Sequence, residues 1–255
     1  MNLPINQIIC GDNVETLQGF PDDCIDLTVT SPPYDNLRTY GGHSWDFEGV
    51  AQQLWRVTKP GGVVVWVVAD ATIDGSETGT SFRQALRFME IGFRLHDTMI
   101  WQKESFTNPF PNRYHQVWEF MFVFSSGDPV FNPICDRKNV HAGTVVSSTV
   151  RESDGSLSHR TPKLIADFGK RWNVWQDIVV KQSGSRVHPA PFPESLARDH
   201  ILSWSNEGDI VLDPFSGSGT TAKMAKLMGR KAIGIEVNQE YCDIAVQRLR
   251  QRVLF

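Results

Sequence analysis

This 255-residue chain is short of several things, and each shortage excludes something. It has four cysteines, Cys10, Cys24, Cys135 and Cys242, with no CxxC pair and no histidine at zinc-ligand spacing, so neither a disulfide framework nor a zinc centre is expected. Reduced, mostly packed thiols and no bound metal are the expectation. Long apolar runs are missing too. The longest, Val63 to Ala69, falls well below the roughly 20 residues that cross a bilayer, and no basic segment followed by an apolar one opens the sequence. The expectation is a soluble, cytoplasmic protein with no membrane partner. Positive charge is not in excess, since 25 Lys and Arg stand against 29 Asp and Glu, for a net charge of −4. Any nucleic-acid footprint must therefore be local.

A local excess does exist. Between Asp128 and His188 nine basic residues (137, 138, 151, 160, 163, 170, 171, 181, 186) meet six acids (128, 136, 152, 154, 167, 177), a net of +3 that leaves −7 for the rest. The stretch from Ser125 to Ser185 has few periodic apolar positions, many small polar residues, and Trp172 and Trp175 interleaved with the basic ones. A plain loop of that length is uncommon in a compact domain, so an inserted recognition lobe is expected over residues 126–185. Residues 1–125 and 186–255 would form the main domain.

Outside that stretch, short β-branched runs alternate with amphipathic helix-length segments, the pattern of an α/β fold with a mostly parallel sheet covered on both faces. Strands are predicted at Gln7–Cys10, Ile25–Thr30, Val63–Val68, Leu95–Trp101, Glu119–Phe124, Ile210–Leu212 and Lys231–Ile235. Helices are predicted at Phe47–Val57, Ser81–Ile91, Phe192–Trp204, Thr220–Met228 and Gln239–Gln251. Lys59-Pro60-Gly61-Gly62 reads as a helix stop and a turn.

Two segments carry chemistry. Thr30-Ser31-Pro32-Pro33-Tyr34 follows a strand directly, at the strand end where open α/β sheets place ligands. Two prolines stiffen the loop and remove backbone donors, which leaves the Ser31 hydroxyl and the Pro32 carbonyl as acceptors beside the Tyr34 ring. That set suits a planar ring with an exocyclic amino group; taken alone, the segment reads equally well as a proline turn.

The second segment, Ile210 to Thr221, runs strand, glycine-rich turn, helix start. Its glycines let a ligand approach the backbone, and the first helical amides suit a negative group. Glu236 ends the next strand where an acid can meet ribose hydroxyls. A dinucleotide fingerprint matches only superficially, a P-loop lacks its Gly-Lys-Ser/Thr, and a serine elbow fails at both Ser216 and Ser218. Asp213 would repel a pyrophosphate yet hold an ammonium.

Together, Asp213-Pro214-Phe215-Ser216-Gly217-Ser218-Gly219-Thr220-Thr221 and Thr30-Ser31-Pro32-Pro33-Tyr34 resemble the amino-group DNA methyltransferases, with the order catalytic motif, recognition region, cofactor motif that resembles the β class. The resemblance implies a Rossmann-like S-adenosylmethionine-dependent methyltransferase fold with an inserted target-recognition lobe. It implies catalytic roles for Ser31, Pro32, Pro33 and Tyr34. It implies cofactor contacts from Asp12 and Asn13 in Cys10-Gly11-Asp12-Asn13, from His188 and Phe192 in the proline-rich segment, and from Asp213, Phe215, Ser216, Gly217, Ser218, Gly219, Thr220 and Glu236. Asp12 also reads as a helix cap, and the proline-rich segment as a helix entry.

The implied reaction is methyl transfer to a flipped-out base in double-stranded DNA. Carbon-5 chemistry needs a cysteine nucleophile, which in its family resembles a Pro-Cys loop, and none of the four cysteines follows a proline. Ser31 resembles the cytosine-N4 enzymes, whereas adenine-N6 enzymes favour aspartate there, so cytosine N4 is expected and adenine N6 is the alternative. A DNA-binding protein without catalysis fits less well because both motifs are intact, and an RNA methyltransferase because Ser31 and a basic inserted lobe suit DNA better. Arg160, Lys163, Lys170 and Arg171 are the expected DNA contacts, with solvated surface charge as the plain reading. A cognate restriction endonuclease and a homodimer are the further partners implied.

Overall fold

The computed structural model describes residues 3–34, 45–106, 111–176 and 193–250. Eight strands form the main sheet: β1 (Gln7–Cys10), β2 (Ile25–Thr30), β3 (Thr58–Val68), β4 (Arg94–Gln102), β5 (Trp118–Ser125), β6 (Val174–Trp175), β7 (Ile210–Asp213) and β8 (Lys231–Glu236). Their spatial order is β1-β8-β7-β2-β3-β5-β4-β6. Neighbours pair in parallel except β5, which runs antiparallel to both β3 and β4. This is the expected mixed, mostly parallel sheet.

Strand alternation assigns each face. Val63, Val65 and Val67 of β3 pack with Leu196, Ala197 and Ile201 of α4 (Glu194–Trp204) and with Ala222 and Ala225 of α5 (Thr220–Leu227). Val64, Trp66 and Val68 pack on the other face with Leu17, Leu54 and Phe88. Those three come from α1 (Asn13–Gln18), α2 (Phe47–Val57) and α3 (Thr80–Ile91). A further helix, α6 (Gln239–Arg250), contributes Leu249 to the first face. A period of two in the strands thus meets a period of 3.6 in the helices, and both faces are covered by buried apolar side chains.

The structure departs from the sequence reading in places. β3 begins at Thr58, not Val63, and Lys59–Gly62 lies within it as an irregularity that shifts the register with β2 between Ile25 and Leu27. Gly61 adopts φ +80°, and a Cβ on Gly62 would sit 2.7 Å from Thr58 Cγ2, so glycines let the chain bend between the paired Thr58 and Val63. Helix α1 is new; its six residues are too few to show a period. Half the thiols are exposed: Cys24 and Cys242 are buried, Cys10 and Cys135 are not.

A second compact unit spans Pro133–Trp172, inside the expected insertion. It is a hairpin carrying three short, separate two-stranded antiparallel sheets in nested order. Arg137–Lys138 pairs with Phe168–Gly169, Val145–Val146 with Lys163–Leu164, and Thr149–Arg151 with Leu157–His159. The tip turns at Gly155, at φ +85°. Val174 and Trp175, beyond this unit, pair with Ile100 and Trp101 of the main sheet. No described helix is long and apolar enough to cross a membrane.

Candidate active site

In a parallel sheet all carboxyl ends lie on one edge, and the loops leaving them converge. β2 leads into Ser31–Tyr34, β7 into Pro214–Gly219, β8 ends at Glu236, and β1 leads to Asp12. The order reverses between β2 and β7, which are hydrogen-bonded neighbours, so the two motifs some 180 residues apart in sequence leave the sheet side by side.

One bond ties them. Thr30 Oγ1 donates to Asp213 Oδ1 at 2.7 Å, and Phe215 N donates to the same oxygen at 3.1 Å. Asp213 is almost fully buried, and desolvation outweighs these hydrogen bonds and raises its pKa from 3.8 to about 6. Among the described residues no basic side chain is paired with this carboxylate. Asn13, buried, donates from Nδ2 to the Pro214 carbonyl at 3.3 Å, which joins the loop after β1 to the same place.

The glycine-rich turn is braced from behind. Glu236 accepts from Gly217 N at 2.8 Å and from Asn238 N at 2.9 Å. Arg248 of α6 donates to Ser218 Oγ at 2.7 Å and to Thr220 Oγ1 at 3.2 Å, so these two hydroxyls already serve the loop itself. Gly219 starts α5 at φ +79° without a side-chain cap, and a Cβ there would lie 2.8 Å from Ala245 Cβ. Ser216 Oγ is buried with no partner among the described residues. The Phe215 ring meets Trp45 edge-on at 5.0 Å. Asp12 caps α1 through Oδ1, which accepts from Glu15 N at 2.9 Å, so the helix-cap reading holds for that oxygen. His188 and Phe192 lie outside the described residues.

The other motif is wired to a group that the sequence reading left out. Ser31 Oγ and Tyr34 Oη lie 2.8 Å apart, and Tyr34 donates to Glu119 Oε2 at 2.8 Å. Glu119 Oε1 is ion-paired with Lys103 Nζ. Glu119 lies at the start of β5, and because β5 runs antiparallel its first residues lie at the edge where its neighbours end. The available signal was an acid within the apolar run Trp118–Phe124, where buried carboxylates are rare unless paired. Trp101, its partner across the strands, is buried, and the adjacent Trp118 is half-buried.

Arg160, Lys163 and Lys170 are exposed on the ribbon unit. Arg171 is half-buried, and its Nε lies 3.0 Å from Asp136 Oδ2. Arg137 stands over the Trp172 ring at 5.1 Å. Among the described residues no cluster of His, Cys, Asp and Glu is placed to hold a metal.

The site offers a buried carboxylate for a cation, an uncapped helix start for an anion, an acid near the strand end for hydroxyls, and an orphaned buried hydroxyl. These are complementary to the ammonium, carboxylate and ribose of S-adenosylmethionine, so the residues fit that cofactor. Fold and site together define a Rossmann-like S-adenosylmethionine-dependent methyltransferase. The family described as DNA methylase, the N6/N4 methyltransferases, matches residues 25–247. The orphan methyltransferase M.BamHII of Bacillus amyloliquefaciens is 56% identical over 242 residues, 91% of each chain. The type II methyltransferase M.HinfI of Haemophilus influenzae is 30% identical, over 97% of this chain and 69% of its own. Among solved structures, TTHA0409 of Thermus thermophilus complexed with S-adenosyl-L-methionine matches with a TM-score of 0.64 and 27% identity, covering 95% of this chain and 94% of that one. The cytosine-N4-specific PvuII DNA methyltransferase shares the fold at a TM-score of 0.68 and 22% identity, covering 97% and 87%. The chain belongs to the N6/N4 DNA methylase family and is an S-adenosylmethionine-dependent DNA methyltransferase.

Proposed function

We propose that this enzyme methylates the exocyclic N4 of a cytosine flipped out of double-stranded DNA. An amine inside a duplex is paired and out of reach, so the nucleotide has to leave the stack. Ser31 Oγ and the Pro32 carbonyl accept the two amine hydrogens, and the rigid Pro32-Pro33 pair holds both acceptors in place. The Tyr34 ring, anchored through its hydroxyl, replaces the lost stacking. S-adenosylmethionine, when bound, supplies an electrophilic methyl on a sulfonium sulfur. Asp213 holds its ammonium, the amides of Ser218 and Thr220 at the start of α5 face its carboxylate, Ser216 takes a polar atom, and Glu236 with the second oxygen of Asp12 and with Asn13 holds its nucleoside half. Phe215 lines that pocket; His188 and Phe192 are assigned to the methionine end. The single observation that carries this reading is the Thr30–Asp213 bond, which fixes amine site and cofactor site in one register. Most of the rate then comes from positioning two bound reactants.

Cytosine rather than adenine rests on Ser31, since an aspartate predominates at this position in adenine enzymes. Plasmid DNA treated with the purified protein and digested to nucleosides is expected to yield N4-methylcytosine by mass spectrometry. N6-methyladenine instead would move the assignment to the alternative base.

The ribbon unit is proposed as the target-recognition region, because a two-stranded ribbon fits a major groove about 12 Å wide. Arg160, Lys163 and Lys170 would meet phosphates, while Arg171, held by Asp136, would steady its neighbours. With Arg160 and Lys163 both changed to alanine, the slope of log affinity against log salt is expected to shrink by about 2. An unchanged slope would place the phosphate contacts elsewhere. The orphan status in the name of the 56%-identical relative favours an enzyme acting without a cognate endonuclease.

A further inference from the structure

We propose that Glu119 is a positioning residue that sets the direction of the hydrogen bonds at Ser31 and so makes the serine oxygen an acceptor for the target amine. This rests on the amine-holding role given to Ser31 above. A carboxylate only accepts, and a phenol carries one proton. Glu119 in its ion pair with Lys103 has no proton to give, so the 2.8 Å bond to Tyr34 uses the phenolic proton. The Tyr34 oxygen can then meet Ser31 only as an acceptor. The 2.8 Å contact between Ser31 and Tyr34 is therefore donated by Ser31, whose single proton is spent on the protein. What remains toward the substrate is lone-pair density.

The direction matters for the chemistry. A Ser31 proton turned the other way would hydrogen-bond the amine nitrogen's own lone pair, the electrons that form the new bond. The same wiring gives the departing proton a route. The methylated nitrogen gives up one proton to Ser31 Oγ as the serine proton passes to Tyr34 and the tyrosine proton passes to Glu119. Three O–H bonds form and one N–H and two O–H bonds break, and the carboxylate ends neutral. Lys103, which follows β4, and Glu119, near the start of β5, keep this acceptor at the site edge though Glu119 is only 7% exposed.

Two nearly isosteric variants of the full chain test this. Glu119→Gln can donate from its amide to Tyr34 and so frees the bond direction; Tyr34→Phe keeps a stacking ring and removes the link. Each is expected to lower kcat on the order of 10- to 100-fold. Calorimetric S-adenosylmethionine affinity and the KM for DNA should stay within about twofold, and the double variant should be no slower than either single one. Wild-type kcat in Glu119→Gln, or losses that multiply in the double variant, would overturn the proposal. Should Glu119→Gln fail to fold, Tyr34→Phe decides alone, and a wild-type kcat there overturns it equally. Ser31→Ala separates the two readings: a fast Ser31→Ala enzyme removes the amine-holding role, whereas a slow one beside a fast Glu119→Gln removes only Glu119.

Discussion

Ser31→Ala is expected to lower turnover by about 100-fold while leaving S-adenosylmethionine affinity within about twofold of the parent. The serine oxygen is the side-chain acceptor that the loop after β2 offers the amine, and alanine leaves the Pro32 carbonyl alone. Its bond runs to Tyr34, whereas the bond to Asp213 comes from Thr30, so the cofactor side keeps its contact. Single-turnover methylation of a saturated DNA duplex, with calorimetry of the cofactor alone, separates the two quantities. An equal loss of rate and cofactor affinity would sink the assigned role, because it would mean that the loop acts by shaping the cofactor pocket.

Asp213→Asn is expected to weaken S-adenosylmethionine binding by about 30-fold, the size of a lost charge-assisted bond, and to abolish its pH dependence. Burial lifts the carboxyl from 3.8 to about 6. In the cofactor-free protein the folded state therefore takes up a proton more readily than the unfolded one, and this group makes stability fall as pH rises from about 4 to about 6, then level off. An ammonium placed beside it favours the ionised form. Cofactor affinity should accordingly rise with pH through about 6, and the cofactor-induced gain in melting temperature should be larger near pH 7.5 than near pH 5. Asparagine, neutral at every pH, should bind weakly and equally at both. Unchanged affinity in the variant, or parent affinity that rises toward low pH, would refute the placement.

The fold was largely legible because its elements are long enough to show their periods. β1, β2 and α2 fall at their predicted bounds, and the other main strands differ by one or two residues, apart from the early start of β3. That start was hidden because Pro60, Gly61 and Gly62 are turn residues by composition, and only the pairing of Thr58 with Ile25 ahead of them extends the strand. β6 was hidden for a similar reason: two residues have no period, and only Ile100 and Trp101 make Val174 and Trp175 a strand. Within the site, the Ser31 and Asp213 motifs were legible from residue type and order. The cap role of Asp12 was legible too, whereas the use of Ser218 and Thr220 by the loop itself was not, since Arg248 on a later helix takes both hydroxyls.

By itself the sequence determined the alternation of strand and helix, the two motifs and the reaction class they resemble, because these depend on local spacing and side-chain chemistry. Only the tertiary structure decided that Thr30 bonds Asp213, that burial lifts that carboxyl, and that Glu119, 85 residues from Tyr34, accepts its hydrogen bond. Each of these depends on which strands are neighbours and which way they run. An antiparallel strand inserted beside parallel ones brings its beginning to the edge where the others end, and sequence distance carries no trace of that.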